Sequence, residues 1–223
     1  MRAYIETAFY IIYFVFMVVM GFYVMLKNKQ KPMYLLGLAC ILLAVGDAFH
    51  LGPRSYGLFT ETLDHPSDLL NGWLGYGKLF TSMTMTVFYL LFYFYLRAEF
   101  RIKHQKVYDY LIVIFVLSRF ILLGLPFNEW RNNATPLWYG IVRNIPFVGI
   151  GVIVMILCYQ NLNQTKFEKS IFYTIILSFV FYLAVVCFGH LSSWIGMMML
   201  PKTICYMWVG FVFYQMTNHQ LGD

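Results

Sequence analysis

Seven stretches of this 223-residue chain stay apolar for roughly 20 residues each, the length an α-helix needs to cross a hydrocarbon layer about 30 Å thick. They fall at approximately 8–26, 33–51, 71–96, 108–125, 138–159, 170–190 and 197–217. Hydrocarbon offers no hydrogen-bond partners, so a backbone inside it must satisfy its own polar groups. The expectation is therefore an all-α fold: a polytopic integral membrane protein of about seven transmembrane helices, forming one bundle domain over residues 1–223. Only Leu191 to Gly196 separates the last two stretches.

Composition agrees. Charged residues are 12% of the chain, against about a quarter in an ordinary soluble domain, and 61% are hydrophobic. Too few charges remain to cover a water-facing surface. The four cysteines, Cys40, Cys158, Cys187 and Cys205, lie in apolar stretches without metal-ligand spacing and read as buried thiols. The run from Ala8 to Leu26 exceeds a signal-peptide core and no small-residue cleavage site follows it, so it is expected to remain as the first span.

Charge placement orients the bundle. Lys27, Lys29 and Lys31, then Arg97, Arg101, Lys103 and Lys106, then Lys166 and Lys169 gather in alternate connections. The other connections carry Glu61, Asp64, Asp68 and Glu129, with Arg54 and Arg131. Basic connections face the cytoplasm, which puts the N-terminus outside and the C-terminus inside, in the plasma membrane. No basic run suits nucleic acid. The connection 52–70, with Gly52, Pro53, Gly57 and Pro66, is read as the longest loop.

Ionisable side chains within spans are costly and mark functional candidates. In this topology they share one depth, toward the outside: Asp47, His50 and Arg54 on helix 2, Lys78 on helix 3, Arg119 on helix 4, Arg143 and Asn144 opening helix 5, His190 closing helix 6, and Lys202 beginning helix 7. Residues three and four apart share a helix face, so Asp47, His50 and Arg54 form one stripe, Lys78, Ser82, Tyr89 and Tyr93 another, and Lys202 with Tyr206 a third. Converging, they would line one pocket whose single carboxylate, Asp47, faces several cations. Such a cavity favours an anion, the nearest being a phospholipid headgroup or the acidic head of an amphiphile. Plainer readings exist: basic residues snorkelling to the interface, Asp47 and His50 as a structural pair, His190 as a helix-end histidine. The Thr81, Ser82, Thr84 and Thr86 run reads as helix-packing glue. Asn133-Ala134-Thr135 matches a glycosylation triplet but is given no function.

Lys31-Pro32, then Gly46-Asp47-Ala48-Phe49-His50-Leu51-Gly52-Pro53-Arg54, then a helix rich in Thr and Tyr, resemble the front of the lysoplasmalogenase family over about residues 30–96. The resemblance implies a membrane enzyme that cleaves the vinyl-ether bond of lysoplasmalogens. Asp47, His50 and His190 are also similar to the zinc ligands of the heptahelical hydrolases that include alkaline ceramidases. Helix 7 has no histidine within its membrane part, so a metal-free site ranks above zinc.

The leading expectation is a lipid-modifying hydrolase with Asp47 and His50 as acid/base pair. Arg54, Lys78, Ser82, Arg119, Arg143 and Asn144 would hold the lipid headgroup, together with His190, Lys202 and Tyr206. The alternative is a non-enzymatic transporter or binding protein for a small anion or lipid, with proton coupling in place of chemistry. Its signature would be a broken helix, and Arg143-Asn144-Ile145-Pro146 is where a break would fall. A retinal receptor would rest on Lys202 with Asp47 as counter-ion, but Lys202 begins its helix instead of lying mid-membrane.

Overall fold

The apolar runs become long helices, because main-chain hydrogen bonds closed within a segment are the only ones hydrocarbon tolerates. The structure is a computed structural model that describes residues 1–27, 31–60, 63, 65–100, 102, 105–161, 166–189, 191 and 197–222, without the side chains of 31, 168 and 220–222. Among these residues the regular elements are α1 (Arg2–Lys27), α2 (Lys31–Phe59), α3 (Asp68–Glu99), α4 (Gln105–Gly124), a 3-10 turn (Pro126–Asn128), α5 (Leu137–Val142), α6 (Ile145–Gln160), α7 (Lys166–Phe188) and α8 (Met199–Gly222). His190 and the loop charges Lys29, Glu61, Asp64, Arg101 and Lys103 lie outside the described residues.

Among the described residues six segments are long and apolar enough to cross a membrane, the mark of a membrane protein. The expected seventh, α8, is 24 residues long but is not among them. Its second half carries Gln215, Thr217, Asn218 and His219, which dilute its apolar character.

Two boundaries differ from expectation for physical reasons. The loop expected at 52–70 is helical as far as Phe59, with Pro53 inside α2. Proline removes the amide that would bond the carbonyl of Phe49, and that carbonyl instead points at Gly77 of α3. The expected span 138–159 is broken into α5 and α6 at Arg143 and Asn144. Here Pro146 cannot donate to Val142, which interrupts the ladder.

Close approach of helices relies on small residues, as is usual in membranes. A Cβ on Gly21 would sit 2.8 Å from the carbonyl oxygen of Gly37, and one on Gly37 2.6 Å from that of Gly21, so α1 and α2 meet backbone to backbone. Thr81 Oγ1 donates to the Gly46 carbonyl at 3.0 Å, tying α3 to α2 beside Asp47. Helix α1 packs between α2 and α8, α7 lies on α8, and α6 contacts α7, α4 and α3.

The core is aromatic. Tyr89 stands edge-on to Phe147 and Phe179 at 5.4 and 5.5 Å, Phe88 to Tyr206 at 5.8 Å, and Phe92 tilts on Phe213 at 5.6 Å. These rings are buried and form a packed floor across the bundle beneath the polar residues described next. Of the cysteines, Cys40, Cys158 and Cys205 are buried and Cys187 is half-buried, all as free thiols.

Candidate functional site

Two adjoining cavities occupy the half of the bundle that holds the start of α1, the end of α2 and the start of α3. The smaller, about 80 Å³, is lined by Asp47, His50, Arg54, Thr81 and Lys202, with Glu6 and Tyr10 from α1. The larger, about 340 Å³, is lined by His50, Lys78, Ser82, Arg143, Asn144 and Lys202, with Asn133, Thr135 and Tyr182. His50, Thr81, Met199 and Lys202 belong to both walls, so the two are chambers of one site. Of the eleven side chains expected there, eight therefore line it: Asp47, His50, Arg54, Lys78, Ser82, Arg143, Asn144 and Lys202. Tyr206 lies just behind, with Lys202 Nζ 5.3 Å from its ring, and Arg119 lies outside the wall.

Asp47 is 8% exposed, and its Oδ2 accepts from Tyr13 at 2.7 Å. Lys202 attracts it across the smaller chamber without an ion-pair contact. No hydrogen bond joins Asp47 to His50, whose buried Nδ1 has no partner among the described residues. The pair is thus two independent groups facing one chamber.

The five cations expected to crowd the pocket divide by partner. Arg54 is paired: its Nη2 lies 3.3 Å from Glu6 Oε2, and its Nε donates to Tyr10 at 3.1 Å. Glu6, bonded also by Arg2 at 2.6 Å and Tyr10 at 2.9 Å, corrects the expectation of a single carboxylate. Arg119, 1% exposed, donates to the Arg143 carbonyl at the α5–α6 break and lies over the Phe147 ring at 5.5 Å. It serves the backbone. Arg143 is largely committed to the segment ahead of α5: it stacks on Trp130 at 4.5 Å and donates to Asn128 Oδ1 at 2.8 Å.

Lys78 and Lys202 remain. Lys78 Nζ donates to Asn133 Oδ1 at 2.6 Å, and Lys202, 5% exposed, meets among the described residues only Met85 Sδ at 3.4 Å and the rings of Tyr182 and Tyr206. No carboxylate lies within 4.0 Å of either ammonium among the described residues. The larger chamber has no carboxylate in its described lining. It is therefore cationic, and oxyanions complement it.

Five further residues carry no clear signal in the sequence. Glu6 was left outside the first span, though Arg2, Glu6 and Tyr10 fall at i, i+4 spacing on one helix face. Asn133 and Thr135, which in sequence match a glycosylation triplet, both line the chamber. Tyr13 and Tyr182 lie in apolar runs, and nothing in their neighbours' identities sets them apart from core aromatics.

Among the described residues no cluster of three metal-ligating side chains forms, and the zinc alternative depends on His190, which lies outside them. No family model, curated protein or solved structure matches the chain.

Proposed function

We propose that this membrane protein is a lipid-modifying enzyme, a hydrolase of the lysoplasmalogenase type, whose two-chambered site holds an anionic or zwitterionic headgroup. The observation that carries the reading is the pairing of a cationic chamber, with Lys78 and Lys202 free of carboxylate contacts, and an adjoining chamber that presents Asp47 and His50. In the proposed topology seven helices span the plasma membrane with the N-terminus outside, so the site opens toward the outer leaflet. Hydrolysis of a vinyl ether needs a proton delivered to the alkene carbon and water added to the carbon bearing oxygen. The hemiacetal so formed collapses to an aldehyde and an alcohol. Asp47, oriented by Tyr13, and His50 supply the acid and base, and no cofactor takes part.

Lipids that co-purify with the wild type and with Asp47→Asn test this. The wild type is expected to carry an acidic or zwitterionic amphiphile enriched above bulk membrane lipid, and the variant to accumulate uncleaved substrate. Bulk lipid alone in both samples refutes the headgroup pocket.

A second reading, a carrier for the same anions, draws on the α5–α6 break, whose turn residues Arg143 and Asn144 both line the larger chamber. Uptake into vesicles without chemical change of the substrate distinguishes it.

A further inference from the structure

The segment between α4 and α5 has little regular structure yet is firmly held. A helix end leaves carbonyls without partners, and Asn128 Nδ2 meets those of Leu122, Leu123 and Leu125 at 2.8, 3.1 and 2.8 Å. Trp130 Nε1 donates to the Leu123 carbonyl at 3.0 Å. On the other side, the carbonyls of Trp130 and Arg131 lie over Gly75 and Gly72, on the face of α3 that carries Lys78 one turn further along.

Inside this clamp Asn133 adopts φ 54°, a left-handed conformation that asparagine tolerates better than most side chains. Its Oδ1 meets Lys78 Nζ at the edge of the larger chamber. A carboxamide is an uneven partner for an ammonium that has no carboxylate nearby: it offers an oxygen but no charge. The ammonium already makes this bond charge-assisted from the donor side, and an oxyanion adds the opposite charge on the acceptor side, so an oxyanion at that position outcompetes the amide.

We propose that the segment 125–136 is a lid carrying a surrogate ligand, in which Asn133 Oδ1 occupies Lys78 until a phosphate-type oxyanion displaces it. Asn133 thereby sets the affinity threshold of the chamber and discriminates against weak or uncharged ligands. The inference rests on the headgroup reading above and adds a specificity-determining residue to it.

The test uses the full chain in lipid nanodiscs, titrated calorimetrically with inorganic phosphate and with n-butyl phosphate. Asn133→Gly removes the competing amide while tolerating the positive φ without strain, and is expected to bind about tenfold more tightly than the wild type. Asn133→Asp places a carboxylate against Lys78 and is expected to bind about tenfold more weakly. Lys78→Met should abolish these differences. Preference for the butyl ester marks a lipid headgroup as the ligand, and preference for inorganic phosphate a free anion; both support the lid. Binding that requires Lys78 but is unchanged or weakened in Asn133→Gly overturns the lid alone. Absence of binding by wild type and every variant overturns the headgroup reading and the lid together.

Discussion

Replacing Lys202 with methionine is expected to cost about 3 kcal/mol of stability while abolishing retention of an anionic ligand. Lys202 has no carboxylate in contact, so a count of ion pairs assigns its removal no penalty. Electrostatics across the smaller chamber reverses that sign. Asp47 is buried, accepts a hydrogen bond from Tyr13, and draws its positive complement from Lys202. Without that ammonium a carboxylate stays in a low-dielectric site uncompensated, which costs far more than a surface charge. The double variant Asp47→Asn, Lys202→Met removes both charges and should recover most of the loss. Unfolding of the four proteins in one detergent gives the coupling directly, and a coupling under about 0.5 kcal/mol would mean that the two groups act independently.

Asn128→Ala is expected to have the second large effect, about 3 kcal/mol, concentrated in the lid. Asn128 is fully buried, gathers three carbonyls at the end of α4, and accepts from Arg143. Alanine takes one donor from each of those carbonyls and an acceptor from the half-buried Arg143 guanidinium. Because stability varies locally within a fold, the loss should appear as opening of 125–136 before the bundle melts. Amide exchange there should quicken by about a hundredfold or more, at about 1.4 kcal/mol per tenfold. Unchanged exchange would show that the lid is held by something other than this side chain.

The helices were readable from residue order because hydrocarbon forces a continuous apolar run on every span, and aligned span ends put Lys78, Arg143 and Lys202 at one level. The break before Pro146 was readable for the same local reason, a missing amide. Partnership was not. Arg54 finds Glu6 48 positions away, and Arg119 finds a carbonyl 24 positions away. Nothing in their own neighbourhoods tells a free cation from one already engaged. Pro53 and its flanking glycines signalled a loop, yet α2 continues because the orphaned Phe49 carbonyl is accommodated against Gly77. Asn133 is hidden for the same reason, since its amide meets Lys78 55 positions away and its left-handed φ is not written in a triplet.

The ring-packed floor under the chambers also decides where the membrane voltage falls. Tyr89, Phe147, Phe179 and their neighbours pack ring on ring and close the bundle beneath the chambers. The electric field is therefore concentrated across that aromatic layer, and an ion seated above it at Lys202 stays close to the potential of the side it came from. A unit charge carried through the whole field is worth about 2.3 kcal/mol per 100 mV. Occupancy of the chamber draws on almost none of that energy, whereas passage beyond it would have to open the floor and cross nearly all of it.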